Sequence, residues 1–338
     1  FKNVYLTGIV RDKLGRKMSK SLGNSPDPIE LMGQYGTDGV RVGMLLSSPA
    51  GNDLMFDVSY CEQGRNFANK IWNAFRLVKG LETVVAPATE AQKTAAIWFE
   101  NRFNQAVAEI DEHFAHYRLS DALMATYKLI WDDFCAWYLE LIKPAYQTPL
   151  ESETLETVKE LFQKILTLAH PFMPFLTEEL WHDEIFGTRA VKDCIIVAAY
   201  PKVQPFDEQV IKDFAAVQQI IAEVRNIRNA KGMSPKLTLP LAINASGIDF
   251  TKYQESIIKL ANISELSFVT EKVTGALSFL AGKSECYVQL AAENIDIEAE
   301  KQRITKEIDY LKGFLIAVDK KLSNERFVQN AKPEIIEN

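Results

Sequence analysis

The sequence has few cysteines and no long apolar run, and each absence excludes a class of protein. The four cysteines lie far apart and form no CxxC pair, so neither a disulfide framework nor a thiolate zinc site is predicted. No apolar run reaches the roughly 18 residues that a membrane span needs, and no charged-then-apolar signal pattern is visible at the start. We therefore expect free thiols and a cytoplasmic protein that makes no membrane contact.

Histidine is equally scarce, and positive charge does not dominate the chain. His113 and His116 form an HxxH pattern on a helical stretch, but no further ligands lie nearby, so we predict a helix surface and no metal site. A net charge of -7 over 338 residues excludes a wholly basic nucleic-acid-binding surface. Any RNA contact would therefore be confined to local basic patches. The 47% of hydrophobic residues suffices for a sizeable core in two or three domains.

One short segment near the start concentrates charge that suits triphosphate chemistry. It reads Lys17-Met18-Ser19-Lys20-Ser21-Leu22-Gly23-Asn24. Lysine is a compact, mobile cation that can follow phosphates as pyrophosphate leaves, and serine hydroxyls add donors beside it. We predict that Lys17 and Lys20 are catalytic and that residues 17–21 bind ATP. The alternative is a solvated basic turn, because Asp12 is the sole carboxylate among five cations between positions 11 and 20.

The residues that precede this segment favour the ATP interpretation. The run from Leu6 to Arg16 into Lys17–Ser21 resembles the KMSKS signature loop of class I aminoacyl-tRNA synthetases. The resemblance implies an ATP-binding loop that acts with Mg2+. It also implies that the nucleotide-binding sheet with its HIGH motif, and the editing domain, precede Phe1. We therefore expect a C-terminal fragment that is inactive alone.

The segment around the loop predicts one strand and two helices. Residues 4–10 are apolar enough for a short buried strand that delivers the loop. Asp27 is a suitable N-cap for a helix over 29–35, and Thr37 for the next one. Gly39 and Gly43 weaken that second helix unless they allow another helix to approach closely.

From Val58 onward the pattern changes to long amphipathic helices. Apolar residues recur at three- and four-residue steps from 58, then near 91–116, 119–143 and 152–169, which predicts an antiparallel bundle. A further helix over 207–230, short strands near 237–243, 266–269 and 286–290, and a helix near 253–260 predict a small α/β unit. Heptad spacing after residue 300 predicts the first helix of an antiparallel coiled coil, with a turn over 323–333.

The predicted fold is therefore mainly α. An antiparallel helical bundle, of the kind that binds the anticodon in class I synthetases, follows the loop and precedes the α/β unit and the start of a coiled-coil arm. The predicted domains are the end of the catalytic domain with its KMSKS loop and stem-contact helices, the bundle, the helix with the α/β unit, and the arm. Their predicted bounds are 1–57, 58–203, 204–292 and 293–338.

Several blocks indicate which synthetase the chain resembles. The run Gly64–Ala74, the run Arg225–Lys236 and the tail around Leu322–Val328 are similar to valyl-tRNA synthetases. This resemblance implies valine, ATP and tRNA(Val) as partners of the parent enzyme, which we expect to be a monomer. Two alternatives remain open. Isoleucyl enzymes share the first blocks but often end in a cysteine-rich zinc module, and a non-catalytic tRNA-binding module could retain the loop.

Two polar patches are candidate RNA contacts. The first is a stripe on the first bundle helix, opposite its apolar face, where amides could read bases and arginines could bind phosphate. It consists of Arg65, Asn66, Asn69, Asn73 and Arg76. The second patch, at three-residue steps, consists of Arg225, Arg228 and Lys231, and suits phosphate contact. For each patch an ordinary solvated helix face is the alternative. Trp72, Trp131, Trp137 and Trp181 are predicted to lie in the core.

Overall fold

The computed structural model describes residues 2, 4–6, 8–49, 51–290 and 297–323. Its helices are α1 (Pro28–Tyr35), α2 (Thr37–Leu46), α3 (Val58–Lys79), α4 (Glu90–Ala115), α5 (Leu119–Lys128), α6 (Leu139–Ile142), α7 (Ser152–Ala169), α8 (Pro174–Trp181), α9 (Glu208–Ala230), α10 (Gln254–Ala261) and α11 (Ile297–Leu322). Its strands are β1 (Val10–Arg11), β2 (Leu54–Met55), β3 (Thr83–Val84), β4 (Leu150–Glu151), β5 (Leu239–Asn244), β6 (Ile263–Phe268), β7 (Leu277–Ala281) and β8 (Ser284–Val288). The prediction of a mainly helical fold with a small α/β unit is confirmed.

The segment that leads into the loop is less regular than its sequence predicts. β1 pairs in parallel with β2, and this two-residue ladder is the whole sheet in the described part of the segment. The predicted buried strand over 4–10 is wrong, because Val4 and Leu6 are 77% and 82% exposed. In contrast, the predicted helix start is confirmed, since the Asp27 carboxylate accepts hydrogen bonds from the N–H groups of Ile29 and Glu30.

α2 and α3 pack with their backbones almost in contact, and three glycines make this possible. A Cβ atom at position 64 would lie 2.3 Å from the carbonyl oxygen of Gly39, and one at position 43 would lie 2.7 Å from the backbone nitrogen of Cys61. Gly39 itself faces the backbone of Arg65. The close packing that the sequence left open for Gly39 and Gly43 is therefore present, and it attaches the loop segment to the first bundle helix.

The bundle core is formed by α3, α4, the continuous helix α5–α6 and α7. α5 passes through a π-helical stretch, Leu129–Tyr138, into α6. Large aromatic side chains fill the centre, and they include Trp98, Phe99, Phe134, Tyr138 and Phe162. Such rings each bury a large apolar area, so they supply much of the driving force for packing.

The α/β unit packs on the bundle through α9 and α10. Its four-stranded sheet has the order β6-β5-β8-β7, with β5 parallel to β6 and antiparallel to β8. β7 was not predicted; its residues alternate between half-buried and exposed positions and end at the buried Ala281. α11 is a helix as predicted, whereas the predicted turn over 323–333 lies almost wholly outside the described residues.

Candidate functional site

The backbone of the lysine loop, residues 12–24, folds back on β1. The Met18 N–H donates to the carbonyl of Val10 at 3.0 Å, and the Asp12 N–H donates to the carbonyl of Arg16 at 2.9 Å. Gly15, at φ +76°, makes the tight turn between them. The loop is therefore a short hairpin-like excursion, and a 3-10 turn over Lys20–Leu22 follows it.

Asp12 and Asn24 hold the two ends of the loop together. The Asp12 carboxylate accepts hydrogen bonds from the N–H groups of Leu14 and Arg16 and from the Asn24 side-chain amide, at 2.9–3.0 Å. Asn24 in turn accepts from the Ser19 N–H at 2.9 Å. The hydrogen bonds from Asn24 and Arg16 hold the pKa of the Asp12 carboxyl well below its usual range. Neither residue was singled out from sequence, although Asp and Asn are the side chains that most readily bind nearby backbone N–H groups.

Three of the five cations in this region are neutralised by carboxylates. Arg11 pairs with Asp53. Lys13 pairs with Asp57 at 2.8 Å, and Arg16 pairs with Asp12 at 2.7 Å.

The other two cations are the predicted catalytic lysines. Lys17 and Lys20 are exposed, and neither forms an ion pair within the residues that the structure describes. Ser19 caps the 3-10 turn by accepting the Leu22 N–H, and its hydroxyl lies 3.2 Å from that of Ser21. The loop thus presents two mobile ammonium groups beside two hydroxyls, which suits the binding of a polyanion. Met18 is half-buried and turns toward the apolar residues of α1 and α2.

The predicted stripe on α3 is mostly free to bind a partner. Asn66, Asn69, Asn73 and Arg76 are all exposed, and no hydrogen bond or ion pair of their side chains is found among the described residues. Arg65 differs, because it pairs with Glu62 at 3.2 Å and its guanidinium lies 5.5 Å from the centre of the Tyr35 ring. Arg65 is therefore at least partly engaged in the contact between α1 and α3.

Trp72 lies on the same outward stripe, so its predicted place in the core is wrong. It is 40% exposed and its ring contacts Phe75 at a centroid distance of 5.7 Å. On a helix it is a neighbour of both Asn69 and Arg76. Sequence periodicity missed this because position 72 borders the apolar face formed by Ile71 and Phe75. Trp131, Trp137 and Trp181 are half-buried against the core, and Trp98 is the tryptophan at its centre.

The arginines of the second predicted patch make hydrogen bonds within the fold. Arg228 is buried, and its guanidinium donates to the carbonyl oxygens of Leu237 and Asn262 at 3.1 and 2.7 Å. Arg225 donates to the carbonyl of Leu260 at 2.7 Å, and Lys231 is half-buried. The prediction that Arg228 contacts phosphate is corrected for this reason: its charge and hydrogen-bond donors join α9 to the sheet unit. Arg225 remains exposed but is already partnered.

The composition-based expectations concern membrane spans, metal ligands and cysteines. No helix within the described ranges is long and apolar enough to cross a membrane. Among the same residues, no group of three His, Cys, Asp or Glu side chains converges in a way that could hold a metal ion. The four cysteines are unpaired in the structure.

Three protein-family models match separate parts of the chain. Residues 1–57 match the class I tRNA synthetases for isoleucine, leucine, methionine and valine, and residues 96–243 match the anticodon-binding domain of tRNA ligases. Residues 296–338 match the tRNA-binding arm of valyl tRNA synthetases. The valine–tRNA ligase of Christiangramia forsetii is 51% identical over 337 residues, which is 99% of this chain and 38% of the relative. The chain belongs to the valine–tRNA ligase family.

Other members of the valine–tRNA ligase family are similar over the same extent. The enzyme of Parabacteroides distasonis is 48% identical over the whole chain and 38% of its own length, and that of Thermotoga maritima is 35% identical over the whole chain and 39% of its length. The chain thus spans about two fifths of the length of these relatives. The valyl prediction is supported over the isoleucyl alternative, because both the relatives and the arm are those of valine enzymes.

Similarity to solved structures is weaker. A ternary complex of an Agrobacterium radiobacter LeuRS with tRNA and LeuAMS aligns with 61% of this chain and 24% of that chain, at 18% identity and a TM-score of 0.44. This level is too low to establish a common fold by itself.

Proposed function

We propose that this chain is the C-terminal part of a valine–tRNA ligase. In the proposed reaction, the valine carboxylate attacks the α-phosphate of ATP, the bond to the β-phosphate breaks, and valyl-adenylate and pyrophosphate form. A 3'-terminal hydroxyl of tRNA(Val) then attacks the valyl carbonyl and releases AMP. Within this enzyme the lysine loop contacts the phosphates, and the bundle binds tRNA.

The observation that carries the proposal is the distribution of charge in the loop. Asp12, Asp53 and Asp57 neutralise Arg16, Arg11 and Lys13, whereas Lys17 and Lys20 stay exposed and without a carboxylate partner in the described part of the chain. Charge accumulates on the pyrophosphate as it leaves, so cations that can follow it stabilise the transition state more than the ground state. Mg2+, bound with ATP, would neutralise part of the same phosphate charge.

The surface that we propose for RNA is the outward stripe of α3. It combines two amides that can read base edges, Asn69 and Asn73, with an arginine for phosphate, Arg76, and an aromatic ring for stacking, Trp72. The chain is acidic overall, with a net charge of -7. We therefore propose that recognition depends on this local surface more than on long-range attraction. A cytoplasmic monomer that binds one tRNA(Val) completes the proposal.

The direct test is tRNA binding by the chain as it stands. Purified chain should bind tRNA(Val) in a filter-binding or fluorescence-anisotropy assay, and a tRNA with a different anticodon should bind more weakly. The chain alone should show no valine-dependent ATP–pyrophosphate exchange, whereas the complete ligase should. Equal affinity for both tRNAs would contradict anticodon recognition by this bundle.

Replacing Trp72 by alanine should weaken tRNA binding by about tenfold, since stacking of one base on an aromatic ring contributes roughly 1–3 kcal/mol. Arg76→Ala should reduce affinity more modestly and lower the slope of log affinity against log salt by about one, because one phosphate contact is lost. Affinity would be measured by anisotropy at several salt concentrations.

The matched control for Trp72 is Tyr146, which is 90% exposed and lies in the loop after α6. Tyr146→Ala removes an exposed aromatic ring elsewhere on the molecule, so it should leave affinity unchanged. If Trp72→Ala and Tyr146→Ala behave alike, the outward stripe of α3 is not the RNA surface.

A further inference from the structure

α2 provides a capping carboxylate to a helix of the bundle that lies far away in sequence. Asp38, which is buried, accepts hydrogen bonds from the N–H groups of Phe175 and Leu176, at 3.3 and 2.7 Å. These are first-turn groups of α8, and its own N-cap, Met173, has no side-chain acceptor to offer. Thr177, further along the first turn of α8, donates its hydroxyl to the Met173 carbonyl. The negative charge of the Asp38 carboxylate also interacts favourably with the positive N-terminal end of the α8 helix dipole.

Arg41, one turn further along α2, binds the chain just before α8. Its guanidinium donates to the carbonyl oxygens of Phe172 and Pro171, at 3.3 and 3.1 Å. Asp38 and Arg41 therefore satisfy donors and acceptors of the same corner between α7 and α8. Since hydrogen bonds are directional, these four bonds fix the orientation of α2 on the bundle as well as its distance from it.

α2 also lies beside the lysine loop. An apolar cavity of about 610 Å³ lies between them, and Arg41 and Met44 of α2 line it together with Met18 of the loop and Met32 of α1. Met18 also packs against the small core cluster that contains Val40. Methionine side chains adapt to irregular space, so they suit a cavity whose lining comes from three separate segments of the chain. α2 is thus the element that connects the loop to the bundle.

We infer that Asp38 and Arg41 are positioning residues that hold the lysine loop in register with tRNA bound to the bundle. The inference rests on the proposed function, because it needs both an ATP-binding loop and an RNA-binding bundle. Transfer to tRNA requires the adenylate and the 3' end to meet in a narrow range of geometries, and displacements of about 1 Å are costly. If the four bonds are lost, a tRNA held by its anticodon no longer has a fixed relation to the loop.

The experiment uses the complete ligase with Asp38→Ala and, separately, Arg41→Ala. Arg41 is exposed, so its variant keeps the test informative even if Asp38→Ala folds poorly. Three quantities are measured: valine-dependent ATP–pyrophosphate exchange without tRNA, kcat for aminoacylation, and the factor by which a changed anticodon base lowers that kcat. Asp121→Ala, which removes an exposed first-turn carboxylate of α5, is the matched control.

In the Asp38 and Arg41 variants we expect exchange within about twofold of the unchanged ligase, kcat for aminoacylation lower by about tenfold, and a smaller effect of the anticodon change. Asp121→Ala should alter none of the three. A lower melting temperature with an unchanged anticodon factor would mean that Asp38 and Arg41 only stabilise the fold, and would overturn the inference. An unchanged ligase that shows no exchange would instead contradict the proposed function itself.

Discussion

Lys20→Ala in the complete ligase is expected to lower the rate of valine-dependent ATP–pyrophosphate exchange by about 100-fold, which corresponds to about 2.7 kcal/mol of lost transition-state stabilisation. Lys20 is exposed and forms no ion pair among the described residues, so its charge is available to the leaving pyrophosphate. Valine binding should persist, because the ammonium group acts on phosphate. Exchange kinetics at saturating ATP, together with equilibrium binding of valine, measure both effects.

The control for this variant lies on the same loop. Lys13 has the same charge and is also exposed, but its ammonium group pairs with Asp57 at 2.8 Å. Lys13→Ala should therefore change the exchange rate by no more than about twofold, since a partnered surface lysine contributes little. Equal losses in both variants would show that net loop charge matters and the place of Lys20 does not.

The proposed role of the lysine loop requires a backbone that holds Lys17 and Lys20 in place. The hydrogen bonds that shape this backbone could not be predicted from the pattern of charged residues. Asp12 appears in the sequence as one carboxylate among many cations, and Asn24 as a polar residue after Gly23. In the structure they bind each other and the backbone on both sides of the loop. Their role depends on the fold of the loop, because hydrogen bonds between residues twelve positions apart carry no periodic signal.

Short-range sequence patterns predicted the elements that are determined by residues close to one another along the chain. The cap at Asp27, the long stripe of α3 and the extent of α9 to Ala230 all follow from capping and periodicity, and the structure contains each of them. The small α/β unit was predicted from its apolar runs, although β7 was missed. Each of these features depends on residues within about one or two turns of one another.

Predictions from the sequence failed for side chains whose surroundings are determined by residues far away along the chain. Arg228 looks like a surface cation on α9, but carbonyl groups from the sheet unit bury its guanidinium. Trp72 looks like part of an apolar face, but no helix within the described ranges covers it. Asp38 looks like an ordinary first-turn carboxylate of α2, but it is buried, and its hydrogen-bond partners on α8 lie more than 130 positions away. Burial raises the pKa of the Asp38 carboxyl, which no sequence pattern indicates.

Replacing Gly64 by alanine is expected to destabilise the chain by about 3 kcal/mol, at the upper end of the cost of overpacking. The new Cβ atom would lie 2.3 Å from the carbonyl oxygen of Gly39, and both are fixed in helices that touch along their length. Because the clash is with a backbone atom, rotation of a side chain cannot remove it. α2 and α3 would therefore have to separate. Thermal unfolding of this 338-residue chain, followed by circular dichroism, should show a midpoint lower by about 4 °C for a cost of this size.

Replacing Gly33 by alanine, in the same segment, should have the opposite effect on stability. Gly33 is an exposed residue of α1, and a Cβ atom there would meet nothing within 4 Å. Gly33→Ala should therefore raise stability by up to about 1 kcal/mol, because alanine has the higher helix propensity and restricts the unfolded chain. If Gly64→Ala were as harmless as Gly33→Ala, the close approach of α2 and α3 would be wrong. The connection between the lysine loop and the bundle depends on that close approach, so it would have to be abandoned as well.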